Sequence, residues 1–164
     1  MKITTLVLLS LLLTSNSFAD EVFGSYGLGI FKSALNSRTE VKVASFGYRA
    51  ELYDGYYWQY KGGYWSEQSG DPTRKSSAYF STGPGVTIDL SPIEFRGSWG
   101  ICAITQTDSY LGGNFPQFNG EIYAGVRDKR QNGIGVKYEH VSSAGVFTPN
   151  QGRDLVTVEF SQRW

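Results

Sequence analysis

Beyond residue 20 no window of the chain carries a helical period. Short segments instead alternate apolar and polar residues, punctuated by Gly, Asn, Asp and Pro. Alternation of period two needs a sheet whose faces meet different surroundings, because successive side chains leave a strand on opposite sides. Eight candidate strands stand at about 22–32, 40–52, 55–66, 76–89, 92–105, 117–127, 132–142 and 153–164. In the fifth, Ile93, Phe95, Gly97, Trp99 and Ile101 share one side, and Glu94, Arg96, Ser98, Gly100 and Cys102 the other. In the sixth, Phe118, Ile122, Ala124 and Val126 oppose Asn119, Glu121, Tyr123 and Arg127. Ile134, Val136 and Tyr138 oppose Gly133, Gly135, Lys137 and Glu139; Val156, Val158, Phe160 and Trp164 oppose Thr157, Glu159, Ser161 and Arg163. The second strand stays ambiguous, since Val41 and Val43 oppose Phe46 and Tyr48.

A soluble β-sandwich also alternates. Two features favour an all-β fold of another kind, an eight-stranded antiparallel transmembrane β-barrel. The polar side of the last four strands holds Glu94, Glu121, Glu139 and Glu159 with Arg96, Arg127, Lys137 and Arg163, a balanced set that suits a barrel interior. The connections also alternate in length. Links near 53–54, 90–91 and 128–131 are tight, and those near 33–39, 67–75, 106–116 and 143–152 are longer. Short periplasmic turns and long extracellular loops are the pattern of outer-membrane barrels. Tyr56, Tyr57, Trp58, Tyr60, Tyr64 and Trp65 are expected to form interfacial girdles, and the chain ends on Trp164 with apolar residues at alternate positions before it, as outer-membrane assembly signals do.

Residues 1–19 read as a cleaved signal peptide: Lys2, an apolar run from Leu6 to Leu13 broken only by Ser10, then Ser17-Phe18-Ala19 before a cut at Asp20. That run is too short to span a bilayer, and residues 20–164 form one domain. Charge is even, with 15 Lys+Arg and 15 Asp+Glu, which argues against a nucleic-acid partner. One His and one Cys leave no basis for a poly-His metal site, a CxxC zinc site or an internal disulfide.

The only His lies in Glu139-His140-Val141-Ser142-Ser143-Ala144-Gly145. His140 and Ser142 are two apart on one strand, so they share a side with Cα atoms about 6.6 Å apart. A serine hydroxyl is a weak nucleophile until a base takes its proton, and His–Ser is the minimal pair for that. Both continue the lipid-facing series of Ile134, Val136 and Tyr138; Asp154 continues that of Val156 and Val158. If Ser142 lies opposite Asp154, the trio gathers on the outer wall beside the 143–153 link. Polar residues on a lipid face suggest function, though a strand end also turns polar simply by leaving the membrane. Arg74, Lys75 and Arg153 fall in the long links, where solvated charge and contact with lipid phosphates are both open; Asp108 and the 67–75 link could meet ions or sugars, though no residue pattern specifies it.

The stretch 140–145, followed by Pro149-Asn150-Gln151-Gly152 and an acid at 154, resembles the signature of the outer-membrane lipid A 3-O-deacylases, the PagL family. That family shows His-x-Ser-Asn-x-Gly, a Pro-Asn-x-Gly turn, then a carboxylate. The resemblance implies an eight-stranded barrel that hydrolyses the 3-position ester of lipid A in the outer leaflet, releasing a 3-hydroxy fatty acid. It implies Ser142 as nucleophile, His140 as base and then acid, and Asp154 as orienting carboxylate. Gly145 and Asn150 are the candidate oxyanion donors. Asp154 replaces the usual Glu, and Ser143 the usual Asn. The chemistry calls for no cofactor and no metal. Its partners are lipopolysaccharide and outer-membrane lipid, with a homodimer left open. A non-enzymatic barrel in adhesion or envelope stability is the alternative; a palmitate-transferring barrel lacks its expected extra helix.

Overall fold

The computed structural model describes residues 20–30, 41–66, 75–106, 111–148 and 152–164. Its strands are β1 (Glu21–Ile30), β2 (Val41–Tyr53), β3 (Tyr56–Trp65), β4 (Ser77–Leu90), β5 (Ile93–Ile104), β6 (Gln117–Arg127), β7 (Asn132–Ser142) and β8 (Arg153–Arg163). Each pairs antiparallel with the next, and β8 returns to β1 from Glu21↔Arg163 to Ile30↔Asp154, closing a barrel with no free edge. Closure is what lets a sheet cross hydrocarbon, since every strand finds backbone partners on both sides. The tight turns fall where expected. Gly55 takes φ +74°, and Asp128 accepts hydrogen bonds from the Arg130 and Asn132 backbone N–H groups at 2.8 and 2.9 Å. These donors, together with the Asn132 side chain, hold the Asp128 carboxyl below the usual carboxylate range. The expected signal peptide, residues 1–19, lies outside the described residues, which begin at Asp20 just before β1.

The polar parity faces inward. Toward the end bearing Asp20 and Trp164, Arg49 bridges Glu21 and Glu159 at 2.7 and 3.0 Å, and Arg96 meets the same two acids at 2.8 Å. Arg127 and Arg163 meet Glu94 at 3.0 and 2.9 Å. Higher up, Lys61 pairs with Glu121 and Glu139. Desolvating charges is costly, and sharing each among several partners offsets that cost. Guanidinium groups also stack on rings: Arg49 lies 3.7 Å from the Phe23 centroid and Arg96 3.7 Å from that of Tyr123. Glycine makes room for this filling, because a Cβ at Gly63 or Gly85 would strike the ring of Tyr79 or Tyr57.

The upper lumen is different. Val41, Val43, Trp65, Tyr79, Cys102, Ile104, Leu111, Val141 and Leu155 form a buried apolar cluster, with Trp65 and Tyr79 stacked at 4.9 Å. The ambiguity of the second strand is thereby resolved: Val41 and Val43 point inward, and Phe46 outward. The expected girdle needs correction. Tyr56, Tyr60 and Tyr64 do face out, but Tyr57 (6% exposed) and Trp65 (0%) point into the lumen. Six aromatic residues within ten positions cannot all share one side of a strand.

Candidate active site

On β7 the even positions leave the barrel: Ile134, Val136 and Tyr138 are exposed, and His140 and Ser142 half-buried. On β8, Val158 and Phe160 are exposed outward with Asp154 half-buried beyond them. The three expected site residues therefore stand on the outer wall, above the apolar belt, at the strand ends joined by the 143–152 link. Behind them the alternate residues Val141 and Leu155 are fully buried in the apolar cluster. That packing gives the wall a rigid backing, which a site on strands needs for fixed geometry.

His140 and Asp154 are direct cross-strand partners. His140 Nδ1 lies 2.7 Å from Asp154 Oδ1, with the side chains 44% and 25% exposed. An anionic oxygen at that distance selects the tautomer that donates from Nδ1, which leaves the Nε2 lone pair to accept a proton. Tyr138 Oη donates to the same Asp154 Oδ1 at 2.6 Å. The expected register is corrected by two residues: Asp154 faces His140, and Ser142, the last residue of β7, pairs with Phe118 of β6. Among the described residues, no hydrogen bond joins Ser142 to His140. They share a side at the two-residue spacing of the strand, and the nucleophile–base bond of hydrolases is often formed only with substrate in place.

The chain then turns sharply. Ser143 is fully buried, pointing the other way from Ser142, and its Oγ lies 3.3 Å from both the N and O of Phe147. Val146 N donates to Ser143 O at 2.9 Å across Ala144 (φ 50°) and Gly145 (φ 85°). Positive φ at both central residues is the geometry of a type I′ turn. Gly145 is thus held just past Ser142, and Asn150 lies outside the described residues. Gly152 (φ +70°) returns the chain against the imidazole, where a Cβ would lie 2.6 Å from His140 Cε1 and 3.1 Å from Nε2.

Of the link charges, Arg153 is not a loop residue. It opens β8 facing inward, 1% exposed, with its guanidinium 4.9 Å from the Trp65 ring. Lys75 is exposed, and Arg74 and Asp108 lie outside the described residues. Among the described residues, no group of three His, Cys, Asp or Glu side chains is placed to hold a metal ion. Two site neighbours escaped sequence reasoning. Tyr138 read only as a belt residue, although its parity with His140 was a usable signal. Gly152 read only as a turn glycine, because its contact arises across a ten-residue link.

Fold and wall define a class: an outer-membrane β-barrel with a carboxylate–imidazole pair on its lipid-facing side. The family model for lipid A 3-O-deacylase (PagL) matches residues 34–163. The chain belongs to that family. Among solved structures it is similar to the outer membrane enzyme PagL, with 17% identity, TM-score 0.66, and 87% of this chain and 98% of that one covered. It is also similar to Neisserial surface protein A (9% identity, TM-score 0.61, 90% and 97% covered) and to a de novo designed transmembrane β-barrel (12%, 0.57, 92% and 98%). At these identities the likeness shows the fold alone. Comparison with curated proteins finds no match.

Proposed function

We propose that this barrel deacylates lipid A at its 3-position through a Ser142–His140–Asp154 triad. The observation that carries the reading is the 2.7 Å His140–Asp154 pair on the lipid-facing wall, two residues from the outward-facing serine Ser142. The substrate class comes from the family, and the site's position fits it: an ester in the outer leaflet meets the barrel from outside, not through a lumen closed above by the apolar cluster.

Side-chain rotation brings Ser142 Oγ to His140 Nε2, which takes the hydroxyl proton as Oγ attacks the ester carbonyl. The carbonyl oxygen gains the negative charge, and the N–H of Gly145 and the side chain of Asn150 are its donors in this reading. Collapse of the adduct breaks the bond to the sugar oxygen, which leaves with the proton held on His140. Water, deprotonated by His140, then attacks the acyl-serine; the acyl–Oγ bond breaks, Ser142 Oγ takes the proton back from His140, and the 3-hydroxy fatty acid is released. Asp154 fixes the tautomer throughout and steadies the imidazolium. Residues 1–19 serve in this reading as the export signal, removed before Asp20.

The test is release of 3-hydroxy fatty acid from purified lipopolysaccharide. Ser142→Ala is expected to lower turnover on the order of a thousandfold or more. Ser143→Ala, which removes an inward hydroxyl, is expected to cost far less. The reverse order would put the nucleophile at 143.

A further inference from the structure

We propose that Tyr138 is a positioning residue of this site, acting through Asp154 and not on the substrate. The inference rests on the triad reading above. Its phenol and the His140 imidazole converge on one oxygen, Asp154 Oδ1, at 2.6 and 2.7 Å. Strand geometry produces the convergence. Tyr138 and His140 are two apart on β7 and leave the same face, one above the other. Asp154 stands opposite His140, while the direct partner of Tyr138 is Val156. Tyr138 is therefore diagonal to Asp154, a separation that a long aromatic side chain spans.

A carboxylate at the edge of hydrocarbon has few water partners, and an unheld one turns toward whatever water it finds. Two donors on one oxygen fix its rotamer instead. A fixed anion is what the orienting acid of a triad must be. Residence at the membrane interface accounts for the ring of Tyr138, since aromatic residues gather there. It does not account for the direction of the hydroxyl, which bonds the one acid that holds the imidazole. The short Asp at 154 makes this support useful, because the carboxylate must sit at one depth to meet both donors.

The experiment is a double-mutant cycle on the detergent-purified, folded protein with lipopolysaccharide micelles. Tyr138→Phe keeps the ring and removes the donor. It is expected to leave the heat-modifiable band and KM unchanged and to lower kcat about tenfold, the scale of one hydrogen bond made to a charged partner. In an Asp154→Asn background the same substitution is expected to change kcat by less than about twofold, because its route of action is already lost. Unchanged kcat in Tyr138→Phe, a rise in KM alone, or an equal fall in both backgrounds would overturn the proposal. Loss of activity in Ser142→Ala and Asp154→Asn would leave the triad standing in each of those cases. Full activity in Ser142→Ala would remove the triad itself.

Discussion

The imidazole of His140 is confined on two sides. Asp154 holds Nδ1 at 2.7 Å, and the backbone of Gly152 closes against the Cε1–Nε2 edge, leaving no room for a Cβ. Gly152 also sits at φ +70°, a region that costs any other residue strain. Gly152→Ala is therefore expected to push the ring out of line with Ser142 while the barrel stays folded. A misplacement of about 1 Å is worth on the order of a hundredfold in rate. Ester hydrolysis by the purified variant measures it, and wild-type turnover would show that the ring is not constrained by that contact. Parity alone made His140, Ser142 and Asp154 legible as outward residues. The Gly152 contact was not, because the loop's return path is a tertiary feature with no period in the sequence.

At the scale of elements, the β7–β8 hairpin sets the reach of the acid. With His140 and Asp154 as cross-strand partners, the short Asp side chain already meets the ring, so this register needs no longer acid. Asp154→Glu is then expected to lower hydrolysis about tenfold, since an added methylene carries the carboxylate past the point where Tyr138 and His140 both reach it. Equal or higher activity in that variant would show that the register leaves slack for the longer acid. The strands were legible to within a residue or two, since an apolar outer belt and a charged interior impose clean alternation on β5 to β8. Asp154 pairs two residues away from the expected Ser142, a displacement that preserves every facing and that parity cannot detect.

At the scale of the whole molecule, the barrel divides into a lower lumen crossed by ion pairs and an upper one built on an apolar cluster against which Arg153 also packs. The balanced acids and bases made the first legible. The second was not, because an apolar lumen erases alternation where Val41, Val43 and Trp65 turn inward. The apolar cluster that closes the upper lumen and the outward position of His140 and Asp154 make the same demand on the proposed reaction: substrate comes sideways, from the leaflet. Removal of the 3-position acyl chain from lipid A at this outward wall is the proposed activity. The measurement is mass spectrometry of lipid A from outer membranes containing the wild-type protein or Ser142→Ala, each first shown to be folded by its heat-modifiable band. The expected result is a lipid A species lighter by one 3-hydroxyacyl group, with only the 3-position ester lost, in the wild type alone. Identical lipid A profiles from the two membranes, or loss of a chain from any other position, would contradict it.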